Sequence, residues 1–308
     1  MIEVEQLTKR FGDRVAVDDL TFTVRPGVVT GFLGPNGSGK STTMRAIMGL
    51  DTPTSGQARI NGSTHRQLHW PLREVGALLE AKAIHPGRTA FNHLWMLAQT
   101  NDIPRRRVGE VLDIVGLADV ADRRARTFSL GMGQRLGIAA VLLGDPAVML
   151  FDEPINGLDP EGIRWARNLL KGLAAEGRTV LVSSHLMNEM ALTADQLVVI
   201  GRGSLISEGT TSDFIRSNSE QSVRVDTPEP ERLRAALAAS GIASHDETGG
   251  VLRVGGVPAA LIGDIAARHH LTLHELSPVT ASLEEAFMEL TDDSVEYRGT
   301  VTQGEARR

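Results

Sequence analysis

The sequence predicts an α/β fold built around a parallel sheet, and three observations predict it. Continuous apolar runs at 147–151, 179–182 and 197–200 are typical of parallel strands that are covered on both faces. A segment with helical spacing, 162–175, separates the first two runs. A glycine-rich loop at 34–41 connects a further predicted strand to a predicted helix, so the alternation of strands and helices begins early in the chain.

The segment that precedes this loop, residues 1–33, alternates short apolar stretches with polar turns and predicts a small antiparallel sheet. Its last stretch, 28–33, is continuously apolar and predicts a buried strand that leads directly into the loop. The helix after the loop is expected at 42–48 and ends at Gly49, which suits the C′ position.

The loop itself matches the phosphate-binding pattern G-x-x-x-x-G-K-[ST] at every position. Glycines allow positive φ angles, so the backbone can curl around an anion with its amide N–H groups pointing inward. The following helix adds its positive end, Lys40 supplies a charge for the β- and γ-phosphates, and Ser41 supplies a hydroxyl for Mg²⁺. The predicted nucleotide-binding residues here are Gly34, Pro35, Asn36, Gly37, Ser38, Gly39, Lys40, Ser41 and Thr42.

Two carboxylates, Asp152 and Glu153, end the buried strand that contains residues 148–151. A bound triphosphate requires Mg²⁺ and a positioned water, so we expect Asp152 to hold the metal and Glu153 to polarise the attacking water. An acidic pair that simply faces solvent is the alternative. His185 ends the next apolar strand, at the edge where α/β sheets bind ligands, and can hydrogen-bond a γ-phosphate there. A lone histidine otherwise has a structural role.

The remaining regions predict a helical segment and a second domain. Residues 81–128 are mostly helical, and residues 1–216 form the first domain. A polar stretch at 217–221 separates it from a small α+β domain, 222–292, whose order βαββαβ is that of a ferredoxin-like sandwich. The elements expected there are a strand at 222–225, a helix at 229–239, strands near Ile242 and Val251, a helix at 258–269, a strand at 271–274 and a last helix opened by a capping box at 282–285. Residues 293–308 read as a polar tail.

Composition limits the classes of function. The chain has 308 residues, a formal net charge of −6 and no cysteine, which argues against a nucleic-acid surface and excludes disulfides and thiolate metal sites. The first five residues are unlike a signal peptide. No apolar run approaches the ~18 residues that span a bilayer. The longest, 138–151, is interrupted by Gly144-Asp145-Pro146, so a membrane role requires a separate chain.

Two further motifs reveal a family resemblance. The segment Phe128-Ser129-Leu130-Gly131-Met132-Gly133-Gln134-Arg135 resembles the signature motif of ATP-binding cassette (ABC) transporter ATPases, and Asn156-Gly157-Leu158-Asp159 resembles their D-loop. His185 matches the family's switch histidine, and the motif order from Gly34 to His185 is also that of the family. The resemblance covers about residues 1–220. The variant at 129–132, with 282–287, is similar to the drug and antibiotic export branch.

The resemblance implies a P-loop NTPase fold with a parallel core sheet, an antiparallel β subdomain and a helical subdomain at about 81–128. It also implies an ATPase that uses ATP and Mg²⁺, forms a head-to-tail homodimer and drives a separate transmembrane permease from the cytoplasmic face of the membrane. Ser129 and Gly131 would contact the γ-phosphate held by the opposite subunit, and Asp159 would shape that site. Phe11 falls where the family stacks an aromatic ring on adenine, although an ordinary core residue is the alternative.

The sequence departs from the family pattern at three positions. Glu80 stands where the family has the Q-loop glutamine, so a carboxylate would coordinate Mg²⁺ and contact the attacking water there. Leu130 and Met132 replace the signature's usual glycine and glutamine, so side-chain contact from Met132 to nucleotide is not expected. An ABC importer ATPase remains an alternative, as does a soluble ABC ATPase that acts on ribosomes or DNA, which the acidic charge disfavours.

Overall fold

A computed structural model describes residues 1–80, 84–217, 222–247, 250–279 and 282–291. The chain divides into two compact units, Met1–Thr211 and Ser212–Leu290. The polar tail predicted at 293–308 and part of the predicted boundary at 217–221 lie outside the described residues. The helix Thr211–Ser217, which the sequence places in the first domain, falls mostly in the second unit.

The first unit alternates strands and helices as predicted. Its strands are β1 (Ile2–Phe11), β2 (Arg14–Val24), β3 (Val29–Leu33), β4 (Ser55–Ile60), β5 (Val75–Leu78), β6 (Val148–Asp152), β7 (Thr179–Ser183), β8 (Gln196–Gly201) and β9 (Ser204–Thr210). Its helices are α1 (Lys40–Ile47), α2 (Pro71–Glu74), α3 (Ala90–Gln99), α4 (Arg106–Ile114), α5 (Leu130–Leu142), α6 (Pro160–Ala175) and α7 (Met187–Thr193), and α8 (Thr211–Ser217) follows them.

The core sheet has the order β5-β6-β7-β3-β8-β9 and is parallel except for the edge pair β8–β9. Strands β3 and β7 are fully buried, as their continuous apolar runs predict. Because the carboxyl ends of parallel strands meet at one edge, this order brings the ends of β6, β7 and β3 together. That edge is where the phosphate loop and the predicted carboxylates and histidine lie.

An antiparallel sheet of order β2-β1-β4 confirms the prediction for the start of the chain and adds a strand that the sequence did not indicate. β4 was missed because its residues alternate only weakly between apolar and polar. The helix after the phosphate loop begins at Lys40, two residues earlier than expected. It ends as predicted: Gly49 has φ +64°, and the amide of Leu50 donates to the carbonyl of Arg45 at 2.9 Å.

Helices α3 and α4 lie within the segment predicted to be helical, 81–128, and both pack against α5, which follows that segment. Thr89 caps α3, where its hydroxyl accepts a hydrogen bond from the amide of Asn92 at 3.1 Å. Residues 81–83 of the predicted segment lie outside the described residues. No helix among the described residues is long and apolar enough to cross a membrane.

The second unit confirms the predicted order βαββαβ. Its elements after α8 are β10 (Ser222–Asp226), α9 (Pro230–Ala239), β11 (Ser244–Asp246), β12 (Leu252–Gly255), α10 (Ala259–Arg268), β13 (Glu275–Val279) and α11 (Leu283–Thr291). The antiparallel sheet has the order β11-β12-β10-β13, which is that of a ferredoxin-like sandwich. The predicted capping box opens α11, since Ser282 and Glu285 exchange hydrogen bonds of 2.8 and 3.1 Å.

The strand predicted at 271–274 is wrong. Leu271 instead completes the end of α10, where its amide donates to the carbonyl of Ala266 at 2.9 Å and the preceding His270 has φ +53°. This is a Schellman arrangement, in which an apolar residue just beyond a helix packs back on it. The apolar signal of Leu271 therefore belongs to the helix end, and the strand starts at Glu275.

Candidate active site

The phosphate loop joins the buried end of β3 to the first turn of α1, and its glycines are required by geometry. Gly37 and Gly39 have φ of +82° and +104°, which side chains rarely adopt. A Cβ on Gly39 would lie 2.5 Å from the carbonyl oxygen of Ala16, and one on Gly34 would lie 2.5 Å from that of Ile200. The loop therefore curls closely against its neighbours, which leaves room for an anion on its other side.

Ser38 contributes a polar atom that the protein leaves unpaired. Its side chain is 3% exposed, and its hydroxyl has no hydrogen-bond partner among the described residues. Its backbone is fixed, because the carbonyl accepts from Gly203 at 3.0 Å and the amide donates to Pro35 at 3.2 Å. Buried polar groups normally have partners, so an orphan inside an amide-lined loop fits a loop that holds a polar ligand.

Lys40 folds back over the loop. Its ammonium donates to the carbonyl oxygens of Gly34 at 2.6 Å and Pro35 at 3.1 Å. Burial lowers the pKa of Lys40 from its ordinary value, and the nearby charges of Glu153 and Asp152 partly offset this. The ammonium is thus held close to the position where a polyphosphate would lie, by contacts that a phosphate can replace.

Asp152 joins the phosphate loop to the neighbouring strand. The hydroxyl of Ser41 donates to its Oδ2 at 2.7 Å, and the hydroxyl of Ser183, at the end of β7, donates to its Oδ1. The described residues contain no group of three or more His, Cys, Asp or Glu side chains that could hold a metal by themselves. Mg²⁺ suits this arrangement, because it is commonly bound by one or two protein oxygens together with water and substrate phosphates.

Glu153 and His185 meet at the same edge. The imidazole Nδ1 of His185 lies 2.7 Å from Oε2 of Glu153. Glu153 has φ +53°, and its amide donates to the hydroxyl of Ser183 at 3.1 Å and, more weakly, to the carbonyl of Ser183 at 3.3 Å. The carboxylates are therefore engaged with the loop and with the next strand, so the alternative of an acidic pair that merely faces solvent is not supported.

Glu80 lies at the same edge but outside this network. It follows β5, whose Leu78 is paired with Phe151 of β6, and its side chain is exposed. The pKa of Arg45 in α1 is raised, mainly by the hydrogen bond of Arg45 to Asp51, and the negative charge of Glu80 makes the smallest contribution. The described hydrogen bonds connect Lys40, Ser41, Asp152, Glu153 and His185 with their neighbours and do not include Glu80.

Phe11 borders an open cavity beside the loop. The cavity has a volume of about 370 Å³ and is lined by Phe11, Arg14, Ala16 and the loop residues 37–42, which include Thr42. Phe11 is 50% exposed, so the alternative of a core residue is wrong. The ammonium of Lys9 lies 4.8 Å from the ring centroid. An exposed ring next to a phosphate-binding loop can stack on a nucleobase.

The signature and D-loop residues begin two adjacent helices. The hydroxyl of Ser129 caps α5 by accepting from the amide of Met132 at 3.2 Å, and Asp159 caps α6 by accepting from the amide of Gly162 at 2.9 Å. A Cβ on Gly131 would lie 3.1 Å from the carbonyl of Gly157, so the two motifs touch within one chain. No described hydrogen bond joins Ser129, Gly131 or Asp159 to the phosphate loop.

Sequence reasoning missed three residues that shape the site. Ser183 orients Asp152 and Glu153, and it could have been found as a polar residue at the end of a buried strand. Gln134 donates from Nε2 to the carbonyl of Glu153 at 2.9 Å, and the linear sequence gave no signal for this contact. Arg14 lines the cavity beside Phe11, and only the position of its strand reveals this.

Comparison with known proteins agrees with this geometry. A family model described as ABC transporter matches residues 17–156, and one described as a domain of unknown function matches residues 221–284. The chain is 36% identical over 303 residues to the uncharacterized ABC transporter ATP-binding protein YhcH of Bacillus subtilis (strain 168), covering 96% of this chain and 97% of the relative. The chain belongs to the ABC transporter ATP-binding proteins.

Two further likenesses refine the comparison. This ABC protein is 40% identical to the bacitracin transport ATP-binding protein BcrA of Bacillus licheniformis, over 68% of this chain and 69% of the relative. A solved structure described as an ATP binding subunit of an ABC transporter is 28% identical, with a TM-score of 0.65, over 70% of this chain and 92% of that one. The first unit thus has the ABC ATPase fold, and the chain is an ATPase subunit of a transport system.

Proposed function

We propose that this protein hydrolyses MgATP at the interface of a head-to-tail homodimer and drives export of a drug, antibiotic or lipid-like compound through a separate permease. One observation supports the proposal that the chain hydrolyses ATP. The phosphate loop, the Ser41–Asp152 hydrogen bond and the Glu153–His185 contact converge at one sheet edge. The likeness to a bacitracin transport ATP-binding protein supports the export part.

The residues divide the task of holding the nucleotide. Loop amides and the N-terminal end of α1 attract the phosphates, and Lys40 exchanges its carbonyl partners for phosphate oxygens. Phe11 stacks on the base from the open cavity. Ser41 and Asp152 would hold Mg²⁺, with Glu80 close to the same edge. When bound, the metal supplies charge neutralisation of the phosphate oxygens.

The carboxylate of Glu153 then acts on water. It accepts a hydrogen bond from the attacking water, and His185 holds that carboxylate by donating from Nδ1 at 2.7 Å. With a proton on both ring nitrogens, His185 also donates from Nε2 to the γ-phosphate. Ser183 fixes Asp152 by its side chain and the amide of Glu153 at the same time. One strand end therefore sets the relative positions of both carboxylates.

The opposite site is completed by a second copy. Among the described hydrogen bonds, none joins Ser129, Gly131 or Asp159 to the phosphate loop of the same chain, and the helices that these residues begin have positive ends that suit a phosphate. ATP binding favours the closed dimer and hydrolysis reopens it, so the difference in ATP affinity between the two states supplies the work for transport. The permease spans the membrane and carries the substrate path, and this chain docks on it at the cytoplasmic face.

Reconstitution with a candidate permease tests the proposal. The chain, the permease and both together are placed in vesicles, and labelled bacitracin-like substrate is followed in both directions with ATP on the side of this chain. We expect transport away from this chain, only with both proteins, and loss of it with Glu153→Gln. Transport that is equal without this chain would reject the proposal, and transport toward this chain would show an importer.

A further inference from the structure

One buried side chain of α5, the helix that begins at the signature motif, contacts the main chain of Glu153. Gln134 is 3% exposed, and its Nε2 donates to the main-chain carbonyl of Glu153 at 2.9 Å. A carbonyl oxygen can only accept, so the amide nitrogen must face it. This contact joins residues 19 positions apart and links the helix that begins at Ser129 to the glutamate that orients water.

Glu153 needs such support because its backbone is unfavourable. A φ of +53° lies in the left-handed region, which is unfavourable for a residue with a side chain, and such a conformation persists only where the surroundings hold it. The amide of Glu153 is fixed by Ser183, and its carbonyl is fixed by Gln134. The two peptide groups that flank the catalytic side chain are thus anchored from opposite directions, one by β7 and one by α5.

The same helix begins at Ser129, which the proposed function places against the partner's nucleotide. Ser129 and Gln134 are five positions apart, about 7.5 Å along a helix axis. The first turn of α5 also rests on the loop that follows Glu153, because Gly131 approaches the carbonyl of Gly157 closely. A shift of the helix start therefore moves a rigid element whose next turn holds the backbone of Glu153.

We propose that Gln134 is a positioning residue that links nucleotide contact at Ser129 and Gly131 to the alignment of Glu153 in the same chain. Occupancy of one site in the dimer thereby sets the catalytic carboxylate of the other. The inference rests on the proposed function, because it takes Glu153 as the residue that orients water. Gln134 does not touch substrate and acts only through the backbone of Glu153.

Three variants of the full chain test the link. Gln134→Met keeps the length and removes the donor. Gln134→Glu restores a donor only when its buried carboxyl is protonated, which burial favours at mildly acidic pH. Arg107→Met is the matched control on α4, because it removes hydrogen bonds to the carbonyls of Leu142 and Leu143 at the far end of α5, outside the site. Phosphate release is measured against ATP concentration from pH 6 to 8.5, and ATP affinity by calorimetry.

The expected pattern separates positioning from general damage. Gln134→Met lowers kcat at least about 10-fold with ATP affinity within about twofold, since misalignment of a catalytic group costs rate rather than ground-state binding. Its dependence on ATP concentration also becomes less cooperative. The turnover ratio of Gln134→Glu to Gln134→Met rises as pH falls, and Arg107→Met keeps kcat near that of the natural chain.

Two results would overturn the inference. One is a Gln134→Met chain with unchanged kcat and cooperativity. The other, decisive even if Gln134→Met does not fold, is a Gln134→Glu chain whose turnover relative to the natural chain does not change with pH. Glu153→Gln is measured alongside: if it retains full turnover, the proposed role of Glu153 fails, whereas an inactive Glu153→Gln with a fully active Gln134→Met rejects only the link.

Discussion

The Nδ1 atom of His185 lies 2.7 Å from the Oε2 atom of Glu153, although the two residues follow different strands, β7 and β6. This contact commits one nitrogen of the imidazole to the carboxylate and leaves Nε2 available at the loop edge. It also brings the predicted water-polarising group and the predicted phosphate sensor into one unit. Four predictions follow from the geometry of the edge they share.

Removal of the carboxylate charge of Glu153 should strongly lower ATP turnover without weakening nucleotide binding. In Glu153→Gln we expect kcat to fall by about 10²–10⁴-fold, because the amide cannot act as a base, while MgATP affinity is kept. Phosphate release and calorimetry measure the two quantities. Glu176→Gln, at an exposed carboxylate paired with Arg178, is the matched control and should remain active. Retained turnover in Glu153→Gln would contradict the assignment.

The lowered pKa of Lys40 should make ATP affinity sensitive to alkaline pH. Burial moves this pKa below its ordinary value of 10.5, so the ammonium is lost, and phosphate binding weakens, as pH rises through the lowered value. The linked stability has the opposite sign. Between the lowered pKa and 10.5 the unfolded chain binds more protons, so the contribution of Lys40 to folding stability rises with pH.

Calorimetry of ATP binding from pH 7 to 10.5, the ordinary pKa of a lysine, checks the prediction for Lys40. Bound phosphate favours the charged amine, so binding should take up protons in that range, and Lys40→Met should lose both affinity and proton uptake. Lys171→Met removes an exposed lysine that donates to the carbonyl of Leu192, and it should leave both unchanged. Affinity that does not change up to pH 10.5 would contradict a lowered pKa of Lys40.

Phe11 should contribute to binding of the base and not to chemistry. Phe11→Ala is expected to weaken ATP binding by about 1–3 kcal/mol, or roughly 5- to 150-fold, because base–aromatic stacking has that value. Phe11→Tyr keeps the ring and should bind normally. Because the side chain is half exposed, Phe11→Ala should scarcely change the unfolding temperature. Normal ATP affinity in Phe11→Ala would place the base elsewhere.

Two glycine substitutions should have opposite effects on stability. Gly39→Ala forces a side chain to φ +104° and toward the carbonyl of Ala16, so we expect a loss of about 1–3 kcal/mol. Gly172→Ala lies in the interior of α6 with nothing within 4 Å of its Cβ, so we expect a gain of about 0.5–1 kcal/mol. Urea unfolding of each chain gives both values, and a stable Gly39→Ala would contradict the loop geometry.

Much of this arrangement was predictable because it depends on local patterns. Continuous apolar runs gave β6, β7 and β8 within one or two residues, and the phosphate-loop pattern gave the turn before α1. The strands β4 and β9 were not predicted, because they lie at sheet edges and their sequences have few apolar residues. The strand expected at 271–274 failed because one apolar residue was used by a helix end instead.

The site was predictable in its residues but not in its connections. Asp152, Glu153 and His185 were identified from their positions at strand ends, which sequence order reveals. The contact of Gln134 with the carbonyl of Glu153 depends on how α5 packs on the sheet, and no spacing rule contains that information. Positive φ at Glu153 is likewise a property of the assembled turn, since its sequence carries no glycine there.

The grip of Lys40 on its own loop has a consequence for the transport cycle. Under the proposed function, an incoming triphosphate displaces the carbonyl oxygens of Gly34 and Pro35 before it receives the ammonium of Lys40, so binding is an exchange of hydrogen-bond partners. The same carbonyls are ready to reclaim the ammonium once the γ-phosphate has gone. These carbonyls therefore compete with ADP for the ammonium of Lys40, which favours release of ADP and the start of another cycle.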